Sequence, residues 1–273
     1  FKEDIGRSAL VLSVTDLNYI KIKNVRISLS ALSVYRNILE DKVIKAFYGL
    51  VDSLCENKSS VVDYIDLYNS FVFELFNECL SFREYLVNRI IYSSNYFSST
   101  TQFYCISDLS CSVRSCVEND LKHLQQIAEC TSADIKNCIL ECCSPSSFEA
   151  DVIKNLPEWG MEKSAEYKPH SNNPEAMQLI SLFIKSDNWA HCMETLSKFH
   201  FKNGTGIFAR YNAFVWDCED CDNAKGYLKG IDRPDEVSVD DLIGYKAERS
   251  KVLENTLQFV KGFPANNMLL YGD

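Results

Sequence analysis

The run DKVIKAFYGLVDSL, Asp41 to Leu54, decides the fold class. Ile44, Phe47, Val51 and Leu54 recur at three- and four-residue spacing, the period of one helix face. Asp41 stands just ahead of them, where a side-chain oxygen can accept the first free N–H groups of a helix. Downstream, Tyr64, Tyr68, Phe71, Leu75 and Cys79 repeat the pattern over 61–80, and Tyr85, Arg89 and Tyr92 extend it over 82–92. Upstream, Leu32, Tyr35 and Leu39 share a face from Ser30 onward.

The pattern continues toward the C-terminus. Val113, Val117, Leu121, Leu124 and Ile127 predict a helix over 113–129. Thr131-Ser132-Ala133-Asp134 has capping-box spacing, with Asp in place of Glu, and opens a helix to about Cys143. Pro174 suits the first turn of a helix over 174–185. Asp187 is placed to cap another, with Trp189, Met193, Leu196 and Phe199 or His200 on its face and Gly204 at its end. Residues 93–101 and 144–173 read as loops, and Ile20, Ile22 and Val25 hint at a strand within 10–28.

After Gly204 the period changes. Ile207 to Trp216 predicts a strand, 217–223 a polar turn and Gly226 to Ile231 a returning strand. Asp240-Asp241 is placed to cap a last helix over 246–261, which Gly262-Phe263-Pro264 ends before a short apolar strand, Met268 to Tyr271.

Composition agrees with a mainly α chain. Gly (10) and Pro (6) are scarce in 273 residues, and 46% of residues are hydrophobic, which supports a packed core and excludes intrinsic disorder. The net charge of −10 argues against binding a phosphate backbone, so no nucleic-acid partner is expected. No apolar run reaches the ~18 residues of a membrane span. The 12 cysteines occur in a long, apolar-rich chain, unlike a short secreted disulfide framework. With no signal-peptide pattern after Phe1-Lys2-Glu3-Asp4, they are read as reduced and the protein as cytoplasmic.

Several chemistries are set aside. Cys218 and Cys221 form one CxxC, which supplies two of the four ligands structural zinc needs; they are the only candidate metal ligands, and no metal site is expected. Gly204-Thr205-Gly206 lacks the third glycine of a dinucleotide fingerprint. The histidines at 123, 170, 191 and 200 have no partner pattern for catalysis. Tyr64, Tyr68 and Phe71 lack the basic interleaving of a nucleic-acid stacking platform.

The last stretch carries the chemistry. Strand Met268–Tyr271 running into Gly272-Asp273 matches the first two positions of a phosphate-binding loop, G-x-x-x-x-G-K-[ST], whose N–H groups cradle phosphates. Asp241-Leu242-Ile243-Gly244-Tyr245, Asn255-Thr256 and Gly262-Phe263-Pro264-Ala265-Asn266-Asn267-Met268-Leu269-Leu270-Tyr271-Gly272-Asp273 resemble the entry to an AAA+ ATPase module. More narrowly, they resemble a bacterial, Clostridia-like family of uncharacterised AAA-type ATP-binding proteins. Gly204 to Tyr211, Ser186 to Trp189 and Tyr35 to Leu39 also resemble that family. The resemblance spans about 30–273, is specific over 204–273 and excludes 1–29.

That resemblance implies an uncertain segment at 1–29, a helical accessory domain at 30–203, a hairpin and linker at 204–235, and the start of an AAA+ domain at 236–273. It implies that Ile243 and Gly244 line an adenine pocket and that Gly272, with Asp273, opens the phosphate loop. It implies ATP and Mg²⁺ as cofactors of a full-length protein, a homo-oligomer, and a protein partner or client for the helical region. The phosphate-loop Lys, the Mg²⁺-binding hydroxyl, the Walker B acid and an arginine finger are absent from this chain, so it is expected neither to hydrolyse ATP nor to need a cofactor by itself. The competing expectation is a free-standing helical interaction module without nucleotide function.

Overall fold

The computed structural model describes residues 14–273 except 58, 79, 144, 160–172, 219–225, 232, 236 and 272–273, and the side chains only from residue 18 onward. The chain forms two compact units, residues 1–232 and 233–273.

In the first unit, α1 (Val14–Ala31), α2 (Lys42–Glu56) and α3 (Val61–Asn77) pack in succession. They are followed by α4 (Phe82–Ile91), α5 (Tyr96–Thr101), α6 (Cys111–Ala128), α7 (Ser132–Cys143), α8 (Ser147–Lys154), α9 (Pro174–Lys185), α10 (Met193–Asn203) and the short α11 (Gly206–Arg210). α1 also packs on α6 and α7, α4 on α9, and α5 on α10. One hydrophobic core runs from Ile22 to Ala209. Each fully buried large side chain stabilises it by about 1.5–3 kcal/mol. Its centre is aromatic: Phe47, Phe71 and Phe82 meet at ring-centroid distances of 4.6–5.3 Å, with Tyr68 and Trp159 alongside.

The helix ends follow their sequences. Asp41 accepts from the N–H groups of Val43 and Ile44, at 3.0 and 3.2 Å, and the face Ile44, Phe47, Val51, Leu54 is buried. Asn57 ends α2 in the left-handed conformation, φ 49°, which Asn tolerates. Ser60 with Asp63 and Ser81 with Glu84 form capping boxes. Asp134 accepts from the Thr131 N–H and hydroxyl and donates its own N–H back, the reciprocal arrangement expected there. Asn173 caps α9 ahead of Pro174.

Six expectations are corrected. The strand hinted at by Ile20, Ile22 and Val25 is helix α1, because Ile22, Val25 and Leu29 form a buried helical face. Residues 93–101 contain α5, capped by Asn95 with Ser98, and 144–173 contains α8, capped by Ser146 with Glu149. Leu32, Tyr35 and Leu39 lie across the end of α1, a bend and a 3-10 turn, Arg36–Glu40, rather than on one helix. Asn188, not Asp187, caps the turn at Trp189–Cys192, since its side chain reaches the Ala190 N–H. Ile207 lies in helix α11, so the strand begins only at Phe214.

The hairpin itself forms. β1 (Phe214–Cys218) pairs antiparallel with β2 (Gly226–Gly230), with Phe214 opposite Gly230 and Cys218 opposite Gly226. Both glycines sit beneath rings: a Cβ on Gly226 would stand 2.2 Å from the Trp216 ring, and one on Gly230 would stand 2.1 Å from the Tyr211 ring. No described helix is long and apolar enough to cross a membrane.

The second unit contains a 3-10 turn, Val239–Asp241, and α12 (Lys246–Val260). Two further corrections fall here. Asp241 serves the turn, accepting from Ser238, and the residue ahead of α12 is Tyr245, which caps it with no side-chain bond. Met268–Tyr271 is not a strand: a strand requires a paired neighbour, and within this unit no described segment pairs with it.

Candidate functional site

The resemblance places the adenine side of a nucleotide site at the turn before α12. Ser238 donates its N–H and hydroxyl to one Asp241 oxygen, both at 2.7 Å, closing the 3-10 turn. Those two bonds hold the Asp241 carboxyl below its ordinary pKa. The chain then passes Ile243, which is 97% exposed, and two residues of positive φ, Gly244 (87°) and Tyr245 (48°). At Gly244 that conformation suits glycine, and a Cβ there would meet no atom within 4 Å.

Two residues of α12 fasten this unit. Arg249 donates from Nη1 to the carbonyl oxygens of Val239, at 2.9 Å, and Leu242. Asn255 donates from Nδ2 to the Asn266 carbonyl and accepts the Asn266 N–H on Oδ1, both at 2.8 Å. Between them α12 ends in a Schellman arrangement: Gly262 takes φ 79°, its N–H reaches the Phe259 carbonyl, and the Phe263 N–H reaches that of Gln258. Pro264 to Asn267 is therefore returned against the helix.

Ile243 and Gly244 are thus adjacent in one open turn. Gly272 and Asp273 lie outside the described residues. Arg249 and Asn255 were not anticipated as structural anchors. A signal for Asn255 existed, since Asn is a poor helix-interior residue unless its side chain has work elsewhere. Arg249 gave none, because an exposed Arg on a helix is ordinary.

The other candidates separate. Cys218 is exposed at the end of β1, and its N–H donates to Asp217 at 2.9 Å. Cys221 lies outside the described residues. Among the described residues no group of three or more His, Cys, Asp or Glu is placed to hold a metal. Cys130, Cys138 and Cys192 are buried small hydrophobes, and desolvation pushes the Cys130 thiol up to about 12. His200 is fully buried, with Nε2 3.1 Å from the Ile91 carbonyl and Nδ1 3.3 Å from the Thr101 hydroxyl. Desolvation lowers its pKa to about 4, so it is a neutral core residue. The helical unit also carries two open surface hollows. One, of about 360 Å³, has Arg114 donating to the Cys111 sulfur at 3.4 Å. The other, of about 580 Å³, includes Lys42, Lys45, Phe73 and Glu74 along α2 and α3.

One family matches the chain, over residues 209–273, and its description is protein of unknown function (DUF815). No curated protein and no solved structure matches it. The matched stretch holds the hairpin and the whole second unit, the part of the chain on which the resemblance rests most specifically.

Proposed function

We propose that this chain is the helical accessory region of an AAA+-type ATP-binding protein, joined to the first elements of its nucleotide-binding module. The observation that carries this is the Asp241-Leu242-Ile243-Gly244 turn with its open glycine, which resembles the entry to such a module and precedes Gly272-Asp273 in the sequence. In this reading Ile243 and Gly244 lie against adenine, and Gly272 with Asp273 begins the loop that wraps the phosphates. Bound ATP with Mg²⁺ would supply the phosphoryl-transfer chemistry. In this reading the chain's own residues contribute binding and orientation. The helical unit recognises a protein partner or client; the net charge of −10 supports a protein rather than a nucleic acid in that role.

The test has two parts. The codons after Asp273 must complete G-x-x-x-x-G-K-[ST]. A version extended by those residues must then bind a fluorescent ATP analogue that the 273-residue chain does not bind. A different continuation, or equal binding by both, overturns the reading.

The second reading, an interaction module without nucleotide function, is supported by the hollow along α2 and α3, where Phe73 is 65% exposed beside Lys42 and Lys45. It is the reading left standing if the extended chain binds no nucleotide.

A further inference from the structure

We propose that Arg249 and Asn255 are positioning residues of the nucleotide site, holding its adenine side and the root of its phosphate loop to two separate points of α12, its first turn and its middle. This deepens the proposed function and rests on it. Both side chains end on main-chain atoms rather than on other side chains. Arg249 gathers the Val239 and Leu242 carbonyls, so it fixes the peptide immediately before Ile243 and Gly244. Asn255 meets the N–H and C=O of Asn266 together, as a neighbouring strand would, and so fixes the backbone two residues before Met268.

No hydrogen bond among the described residues joins the 239–244 turn directly to the 264–271 segment; each is tied to α12 instead. The helix then acts as a spacer. Its two anchors are six residues apart, about 9 Å along the axis at 1.5 Å per residue. A base and the phosphates attached to it need a fixed separation, and a rigid helix carrying two clamps six residues apart supplies one. The choice of residues fits the task. Arg offers several N–H groups in a planar fork, so one group can serve two carbonyls. Asn is the shorter of the two side-chain amides, whose oxygen and NH2 together can meet the N–H and C=O of one residue.

Two measurements test this. In the 273-residue chain, hydrogen exchange of the Asn266 amide should accelerate at least tenfold in Asn255→Ala. It should fall between parent and Asn255→Ala in Asn255→Asp, which keeps the acceptor but sets a carboxylate oxygen against the Asn266 carbonyl. In the extended chain, Asn255→Ala and Arg249→Met should each weaken binding of the fluorescent ATP analogue at least tenfold at a temperature where circular dichroism shows α12 and the helical unit intact. Arg249→Lys should lose less than Arg249→Met, because its ammonium still offers N–H donors for both carbonyls. Unchanged exchange in Asn255→Ala overturns the clamp. Faster exchange with unchanged affinity overturns the positioning role and leaves a purely structural contact, visible only as a lower melting temperature. An extended parent that binds no ATP overturns the proposed function, and the positioning role with it, whatever the exchange data say of the clamp.

Discussion

The Asp120 carboxylate, in the middle of α6 and 1% exposed, accepts the N–H of Tyr35 at 2.9 Å. The same group takes the N–H and hydroxyl of Ser33. It thereby gives partners to main-chain donors freed where the chain leaves α1, a role played elsewhere by a local cap. Replacing Asp120 with Ala strands the buried Tyr35 N–H away from water and removes the acceptor of the more exposed Ser33. The expected loss is about 2–4 kcal/mol in urea unfolding, with Asp120→Asn losing less because one acceptor oxygen remains.

Asp41 serves two masters. It caps α2, and it also accepts the Tyr85 hydroxyl at 2.6 Å and pairs with Arg89 Nε at 3.0 Å. A double-mutant cycle between Asp41→Asn and Arg89→Met should return a coupling of about 1 kcal/mol, since these side chains are only 13% and 33% exposed. A coupling within error of zero would reduce Asp41 to its capping role.

Lys136 is buried on α7, yet its ammonium reaches the Leu156 carbonyl and Glu158, both at 2.6 Å. Tyr68 donates to the Pro157 carbonyl nearby. These bonds hold 154–159 against α3 and α7. Lys136→Met should cost about 2–3 kcal/mol and speed limited proteolysis within 154–159. The Lys136 bond, followed by the Ser132 bond, keeps the Glu158 carboxyl below its usual range. Its contribution is present above pH 4.5 and is lost as the pH falls through the lowered value.

His200 gives a second pH signature. Its folded pKa of about 4 lies below the ordinary 6.5, so the folded state resists protonation. Stability is full above pH 6.5, falls as the pH drops from there, and stops falling below about 4, after a loss of about 3 kcal/mol. His200→Gln should flatten that part of the stability–pH curve, measured as urea midpoints between pH 7 and 4.

Thiol reactivity should follow burial. Site-resolved alkylation of the native protein should label Cys105, Cys111 and Cys218, which are exposed, and spare Cys130, Cys138 and Cys192 until the chain unfolds. Early labelling of Cys138 would contradict its place in the core.

Most of the helical architecture was legible because its signals are local. Asp41, Thr131 with Asp134, and Pro174 announce helix starts that need no distant partner, and the Tyr64-Tyr68-Phe71-Leu75 stripe announces a face. Some failures were local, since the capping boxes that open α5 and α8 and the Asn188 cap lie within a few residues; others occurred where distant contacts decide. Ile20, Ile22 and Val25 are β-branched and suit a strand, but packing against α6 and α7 makes them helical. Met268 to Tyr271 has strand composition without a paired neighbour in its unit. At the candidate site, the pattern of Ile243 and Gly244 was visible in sequence. An Asn inside α12 hinted at Asn255, but the clamp at Arg249 was not visible, because it depends on where main-chain carbonyls end up.

The three tryptophans sit in three separate settings. Trp159 and Trp189 are buried, at 4% and 0% exposure, whereas Trp216 lies 68% exposed over Gly226 on the hairpin. The protein thus carries its own optical labels. Iodide would quench the hairpin emission and leave the core emission bright, so a single fluorescence titration can tell an event at the hairpin from one in the helical body.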